Sequence, residues 1–292
     1  MPSKKKRTPW KKSSLILAAI LVPILLLGGY YFFSSQDNAP PPTFRFQGWM
    51  SLVPNNIERF RFLNMTDLRQ FPELFISPVV LSIPELQRNI SIYELAYGLE
   101  IETSSNSIIN ILGMNATIAN PIAGALSNAG LPYVSYKNAT IHQIRTSDNS
   151  QADKAWVSIF NGVLIYSEGD QLALQALESV LNASANAFFN NDAFKLGYQH
   201  ATGENGYLAF SYLKFEDNDL KINWAMISLS ESSQLTKLEA FSMASVDDAS
   251  SKYQEVVDSY LYGARNVYRT DNFIFGEFAY PSSEIRSVVM GM

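Results

Sequence analysis

The longest apolar run of the chain lies close to its N-terminus. Residues 15–33, LILAAILVPILLLGGYYFF, carry no charge and are almost wholly apolar. At about 1.5 Å per residue, a helix of this length spans the roughly 30 Å hydrocarbon core of a bilayer. Pro23 is compatible with such a helix, because membrane helices tolerate proline. The pattern predicts one transmembrane helix over residues 14–34.

The tail before this run sets its predicted orientation. Residues 1–13 carry six cations, namely Lys4, Lys5, Lys6, Arg7, Lys11 and Lys12. Cations beside a transmembrane helix stay in the cytoplasm, so everything after Ser34 is expected outside. The same cations could contact anionic lipid headgroups. The protein is therefore expected in the cell membrane, with its N-terminus in the cytoplasm.

A cleaved secretory signal, cut near Ser35, is the alternative interpretation of this segment. Signal peptides have apolar cores of about 7–15 residues and end at small residues. Here the run is longer and ends in the aromatic residues 30–33, which are typical of a membrane interface. An uncleaved anchor is favoured. Because the chain has no cysteine, lipid attachment through an N-terminal cysteine is excluded.

A Pro-rich linker follows the predicted anchor over residues 35–43. Its three consecutive prolines, Pro40, Pro41 and Pro42, favour an extended polyproline conformation. The linker separates the anchor from an extracytoplasmic domain over residues 44–292.

Alternating and short continuous apolar runs predict strands throughout this domain. The clearest pair is joined by Asn161-Gly162, a dipeptide that favours the type I′ turn of a hairpin. The predicted strands are 57–63, 93–102, 107–114, 155–160, 163–166, 206–215, 220–229, 236–244 and 272–279.

Capping residues and helical spacing predict four helices. The first has Thr66 as N-cap and is limited by Pro72, and the second covers 121–129 between Asn120 and Gly130. Ser167 with Asp170 resembles a capping box for a helix through Leu181. Ser245 with Asp248 resembles another, for a helix through Tyr262.

These elements together predict an α+β fold, with a largely antiparallel sheet and helices packed on one face. A weak internal sequence similarity also suggests two related halves, 44–190 and 191–292. Asn56 precedes Phe60, Phe62 and Leu63 much as Asn205 precedes Phe210, Tyr212 and Leu213. Similar strand composition alone would also produce this similarity.

Composition restricts the partners of the outer part. Without the six tail cations, 16 basic residues face 27 acidic ones, a balance of −11. Nucleic acid is therefore not an expected partner, since its phosphates require clustered Lys and Arg. The absence of cysteine means that packing alone holds the core. Five N-x-S/T sequons are candidate glycosylation sites, which together with the acidic charge are typical of archaeal surface proteins: Asn64, Asn89, Asn115, Asn138 and Asn182.

The sequence predicts no catalytic, cofactor-binding or metal-binding residue. The two histidines, His142 and His200, lack the neighbouring ligands of a zinc site. Ser211 and Lys214 match S-x-x-K but lie in a predicted strand, where residues three apart face opposite sides. The carboxylates of 216–219 lack the glycine and distal Glu of an EF-hand, so a solvated turn is favoured. A glycosidase pair of carboxylates depends on the fold and is not visible in a sequence.

Several segments resemble a known family. They are Val53-Pro54, Asp67-Leu68, Phe71-Pro72, Tyr136–Ile141, 155–167 and 194–215. Together they resemble uncharacterised membrane-anchored exoproteins of bacteria and archaea, which form a domain family of unknown function. The resemblance implies an extracytoplasmic α+β ectodomain without an established activity, and no functional residue is carried over.

The leading functional hypothesis is a non-enzymatic ectodomain that binds or supports another component of the envelope, with a protein as the expected partner. One alternative is an accessory subunit of a membrane complex, with Gly28 and Gly29 at a helix contact. Another is a cell-surface hydrolase acting on glycans. That enzyme would need two carboxylates in one pocket, or a serine beside His142 or His200.

Overall fold

The computed structural model describes residues 48–54, 57–75, 79–146, 153–160, 162–182, 208–215, 220–229 and 234–292. The chain divides into two compact units, Met1–Thr43 and Phe44–Met292, and all described residues belong to the second. Within these ranges, no helix is both long and apolar enough to cross a bilayer. The remaining residues include several that were singled out above: the tail, the predicted anchor, the linker, Asn56, Asn161, His200, Asn205 and the carboxylates of 216–219.

The described residues form an α+β fold dominated by antiparallel strands, as the sequence predicts. Twelve strands make one sheet in the order β13-β14-β12-β11-β10-β1-β4-β5-β9-β8-β7-β6, and β2 pairs with β3 in a separate hairpin. The strands are β1 Ile57–Leu63, β2 Val79–Ile83, β3 Arg88–Ser91, β4 Leu95–Thr103, β5 Ile108–Met114, β6 Tyr133–Tyr136, β7 Ala139–Arg145, β8 Lys154–Phe160, β9 Val163–Glu168, β10 Ala209–Lys214, β11 Leu220–Leu229, β12 Gln234–Met243, β13 Asn266–Thr270 and β14 Phe273–Pro281.

Six α-helices accompany the sheet in the described ranges. They are α1 Met65–Leu68, α2 Ala116–Asn128, α3 Gln171–Asn182, α4 Val246–Ser251, α5 Tyr253–Tyr260 and α6 Ile285–Met290. Short 3-10 helices lie between the strands, and one of them occupies the predicted start of β4. Ile92–Glu94 is closed by a capping box between Ser91 and Glu94, so β4 begins at Leu95, after the predicted start.

The helices lie on both faces of the sheet, so the prediction of one face is wrong. Ile165 of β9 packs in the same cluster as Leu177 of α3, on the face named here the front. The next residue along the strand, Leu164, packs with Ile122 of α2 on the back. Neighbouring residues of a strand point to opposite faces, which places α3 and α2 on opposite sides. A strand buried on both sides is apolar throughout, so its pattern does not show where the following helix packs.

Aromatic side chains form the centre of the front core. The ring centroid of Phe60 lies 5.5 Å from that of Phe210 and 5.6 Å from that of Tyr212. Tyr212 in turn lies 4.9 Å from Trp224, between ring centroids. These residues belong to β1, β10 and β11, so the packing continues across the middle of the sheet.

The centre of the sheet has the register expected of a two-fold axis. β1 and β10 are antiparallel neighbours, with Phe60 opposite Tyr212 and Phe62 opposite Phe210. A two-fold rotation between them exchanges Phe60 with Phe210 and Phe62 with Tyr212. The same pairs of residues correspond in the internal sequence similarity described above.

The rest of the strand order follows the same relation. On one side β1, β4 and β5 are neighbours, and β9 returns to lie beside β5. On the other side β10, β11 and β12 are neighbours, and β14 returns to lie beside β12. This is the order that two related halves would have, and the duplication itself stays a prediction.

Two helices begin earlier than predicted. Asn64, not Thr66, caps α1, because its side chain accepts a hydrogen bond from the N–H of Asp67 at 3.4 Å. Asn115, not Asn120, caps α2 by accepting from the N–H of Thr117 at 3.1 Å. By sequence alone, Asn115 and Asn120 are both suitable caps for this helix. The structure uses the first and places Pro121 inside the helix.

The two capping boxes had opposite outcomes. Ser245 caps α4, accepting from the N–H of Asp248 at 3.0 Å, as predicted. The helix after it is interrupted at Lys252 and ends at Tyr260. Ser167 is not a cap. It is buried in β9, and its hydroxyl donates to the carbonyl of Ile108 at 2.6 Å, so α3 begins only at Gln171.

Candidate functional site

The five sequon asparagines do not form a site in the structure. Asn64 and Asn115 cap helices, and Asn89 is exposed on β3. Asn138 is exposed in the turn between β6 and β7, and the amide of Asn182 donates to the hydroxyl of Tyr136. Four of the five are exposed at separate places, and their glycosylation stays a prediction.

His142 lies in the sheet, away from any cluster of ligands. It is 6% exposed in β7, opposite Tyr133 of β6 and Val157 of β8. Burial lowers the pKa of its imidazole, and Nδ1 has no hydrogen-bond partner. In the part of the chain that the structure describes, no group of three or more His, Cys, Asp or Glu could hold a metal ion.

A cavity of about 730 Å³ lies where β5 and β9 separate. We name it the β5–β9 cleft. Its volume is within the range of about 300–1,000 Å³ that small-molecule sites have. The cleft is lined by residues 105–108 and Asn110 on one side and by residues 168–173 on the other. The first group forms the β4–β5 turn and the start of β5, and the second connects β9 to α3.

The cleft opens because the ladder between these strands is short. It runs from Gly113 opposite Val163 to Asn110 opposite Tyr166 and stops there. Ile108, two residues before Asn110, has no partner on β9, although the hydroxyl of Ser167 donates to its carbonyl. This side-chain hydrogen bond connects the two strands at the mouth of the cleft.

In the other half of the sheet, the strands remain paired at the position that corresponds to the cleft. By the two-fold relation, β12 and β14 correspond to β5 and β9, and Lys237 and Phe278 correspond to Ile108 and Glu168. Lys237 and Phe278 are paired, and their ladder continues to Gln234 opposite Pro281. The β5–β9 cleft is therefore a feature of the first half and does not follow from the strand order.

The lining combines hydrogen-bonding groups with exposed aliphatic side chains. Amides come from Asn106, Asn110 and Gln171, hydroxyls from Ser105 and Ser107, and carboxylates from Glu168 and Asp170. Ile108 is 47% exposed and Leu172 is 59% exposed. Small-molecule sites have the same composition, with apolar surface and a few convergent polar groups.

Local contacts hold both walls in place. On the turn, the hydroxyls of Thr103 and Ser105 lie 2.9 Å apart, and Asn106 takes a left-handed conformation with φ of 56°. On the other wall, Nε1–H of Trp156 donates to the backbone carbonyl of Asp170 at 3.0 Å. These contacts support the β4–β5 turn on one wall and the connection between β9 and α3 on the other.

Among the described residues that line the cleft, none is a Lys or an Arg. Outside this lining, Nζ of Lys154 lies 3.8 Å from Oδ1 of Asp170. The side chain of Asp170 is 81% exposed, so this pair contributes little to stability. Within the cleft itself, negative charge predominates.

Tyr166 lies directly beside the cleft, opposite Asn110. Burial raises the pKa of its phenol to about 12, with further contributions from Glu168 and Glu100. The phenol is therefore neutral at physiological pH.

We expect this tyrosine to make the protein sensitive to strong base. Its folded pKa exceeds the ordinary value of 10, so the stability it contributes is complete below pH 10 and is lost as the pH rises towards 12. A two-unit shift corresponds to about 2–3 kcal/mol. Tyr166→Phe should reduce the loss of unfolding free energy between pH 9.5 and 11.5, measured by urea denaturation of the full chain in detergent. The surface variant Tyr262→Phe is the control, and identical pH profiles for Tyr166→Phe and wild type would contradict the assignment.

Sequence reasoning identified pieces of this site but not the site. It left residues 103–106 as the connection between two predicted strands and named Asp170 only as part of a capping box. The signal it lacked is the pairing of β5 with β9, which brings together residues about 55 positions apart.

Comparisons with known proteins show no family for this chain. No family model matches it, and no curated protein matches it. One solved structure, titled "Structure of crystal form I of TP0453", is similar at 9% sequence identity and a TM-score of 0.49. That match covers 83% of this chain and 96% of the other. So distant a likeness carries no argument about function, and the resemblance to membrane-anchored exoproteins stays a prediction.

Proposed function

We propose that this chain is a single-pass membrane protein whose residues 44–292 lie outside the cytoplasm and bind another component of the envelope without catalysing a reaction. The apolar run at 15–33 and the six cations before it support the topology. The β5–β9 cleft supports binding, and it is the observation that carries the proposal.

The cleft has the properties of a binding site and not of a packing defect. Its aliphatic residues Ile108 and Leu172 are exposed beside amides and carboxylates, so they add little to the core. Ligands gain affinity from such apolar contacts and specificity from the polar groups around them. The walls are a strand in the interior of the sheet and the first turn of α3, which pre-organise the site.

The topology can be tested because the chain contains no cysteine. A single introduced cysteine is then the only thiol that a maleimide can label. Tyr262→Cys uses a side chain that is 88% exposed, and Ser3→Cys lies in the basic tail. In intact spheroplasts, a membrane-impermeant maleimide should label Tyr262→Cys but should label Ser3→Cys only after permeabilisation. The reverse pattern, or equal labelling of both, would contradict the proposal.

Binding at the cleft can be tested with the same single-cysteine approach. Leu172→Cys carries a thiol-linked photocrosslinker into the cleft, and Val246→Cys is the matched control. Both positions are exposed aliphatic residues in the first turn of a helix, at 59% and 51%. Irradiation of intact cells should give an adduct with Leu172→Cys that is absent with Val246→Cys. No adduct, or the same adducts from both positions, would count against a binding site in the cleft.

A cell-surface hydrolase acting on glycans is the second candidate. Glu168 and Asp170 line the same cleft, and paired carboxylates are the usual catalytic groups of glycosidases. The strong exposure of Asp170 and its pairing with Lys154 do not favour a general acid, which is usually held in an apolar pocket. Release of shorter saccharides by the wild type, lost in Glu168→Gln, would favour the enzyme over the binding protein.

A further inference from the structure

We propose that the β5–β9 cleft binds a neutral saccharide, a short hydroxyl-rich carbohydrate chain. This inference rests on the proposed function and specifies the ligand of the same site. Two observations carry it: the kind of hydrogen-bonding groups in the lining, and the distribution of charge and apolar surface.

The hydrogen-bonding groups match those of a sugar. Each saccharide hydroxyl both donates and accepts, so its best partners are groups that do the same. Asn106, Asn110 and Gln171 each present an acceptor oxygen and a donor NH₂ to the cleft region, and Ser107 adds a hydroxyl. The carboxylate of Glu168 accepts strong hydrogen bonds from hydroxyl donors.

Ser107 adds a hydroxyl-bearing side chain to the lining. It lines the cleft and is 9% exposed. Its backbone carbonyl accepts hydrogen bonds from the N–H and the hydroxyl of Thr103, which hold the turn in place.

The carboxylates of the cleft disfavour an anionic ligand, and its exposed aliphatic side chains favour a sugar ring. Glu168 and Asp170 line the cleft, and no Lys or Arg is among its described lining residues, so phosphate or carboxylate groups would be repelled. Ile108 and Leu172 offer exposed aliphatic surface, which suits the C–H face of a pyranose.

The test is saturation-transfer NMR and calorimetry on the full chain, in a detergent without a sugar headgroup. The neutral probes are maltotriose, cellotriose, mannotriose and chitotriose, and trigalacturonic acid is the anionic probe. At least one neutral trisaccharide should bind, and trigalacturonic acid should bind at least fivefold more weakly at neutral pH. Absence of binding by every neutral probe, or tighter binding of the anion, would overturn the assignment.

Variants locate the binding. Asn106→Gly keeps the left-handed turn, which glycine adopts freely, and with Gln171→Ala it removes two amides from the cleft. Two lost hydrogen bonds should weaken binding by at least about fivefold. Asn120→Ala with Gln254→Ala removes two exposed amides from α2 and α5 and should leave binding unchanged. Equal affinities for the cleft variant and the wild type would place the saccharide elsewhere and overturn the inference.

The ligand class and the proposed function fail in different ways. If no neutral saccharide binds but Leu172→Cys still gives a specific adduct in cells, the ligand class is wrong and the binding function stands. If saccharide binding and the adduct are both absent, the proposed function is wrong as well.

Discussion

Phe60→Ala should lower the free energy of unfolding by about 3–5 kcal/mol, the usual effect of removing a buried aromatic ring. Phe60 is 1% exposed and lies in the middle of the front core. Its ring packs against those of Phe210 and Tyr212 on β10, at centroid distances of 5.5 and 5.6 Å. On its other side it is opposite Ile101 of β4. Because the two halves of the sheet meet at β1 and β10, the cavity would weaken their junction.

Urea denaturation of the full chain in detergent, followed by tryptophan fluorescence, measures this effect. Phe60→Leu should cost much less, because it retains most of the apolar volume. Tyr133→Ala is the surface control, since Tyr133 is 65% exposed on the edge strand β6. A loss below about 1 kcal/mol for Phe60→Ala would show that the ring is not packed as described.

Gly276→Val should also be strongly destabilising, with a loss of about 2–3 kcal/mol or more. A Cβ at Gly276 would lie 2.5 Å from Cδ2 of Leu261 and 3.1 Å from its Cγ. Leu261 is 1% exposed and packs between α5 and the edge of the sheet, so its side chain cannot move into solvent. The β14 backbone is also restrained, since Gly276 pairs with Glu239 on one side and with Val267 on the other.

Two further variants separate this clash from a general effect of replacing glycine. Gly124→Ala, on the exposed side of α2, meets no atom within 4 Å and should stabilise the protein by about 0.5–1 kcal/mol. The double variant Gly276→Val with Leu261→Ala should lose less free energy of unfolding than the sum of the single losses. Additive losses in the double variant would mean that Leu261 is not the obstacle.

Most strands of the domain could be predicted from the sequence because their signals are local. β1 covers Ile57–Leu63 and β11 covers Leu220–Leu229, both as the apolar patterns predict. The β8–β9 hairpin also forms, and Gly162 has the positive φ of 78° that its turn requires. Such signals depend on alternation and turn residues within about ten positions.

Helix starts and helix placement were predicted less well, for two physical reasons. Asn115 and Asn120 are both good caps, and only the packing of Ala119 and Ile122 against the back of the sheet requires the longer helix. The capping box of Ser167 and Asp170 is as good a signal in sequence as that of Ser245 and Asp248. In the structure, however, Ser167 is buried beside Ile108 and donates its hydrogen bond to that residue's carbonyl.

The sequence by itself determined most of the local elements, the acidic charge balance of the chain after its basic tail, the absence of disulfides and the expectation of an anchored topology. These properties depend on composition and on neighbouring residues. Only the tertiary structure decided that α2 and α3 lie on opposite faces and that β5 and β9 separate beyond Asn110. The cleft is formed by residues that are distant in sequence, and strand pairing between distant segments has no local signature. For that reason, the candidate site became visible only once the register of β5 and β9 was known.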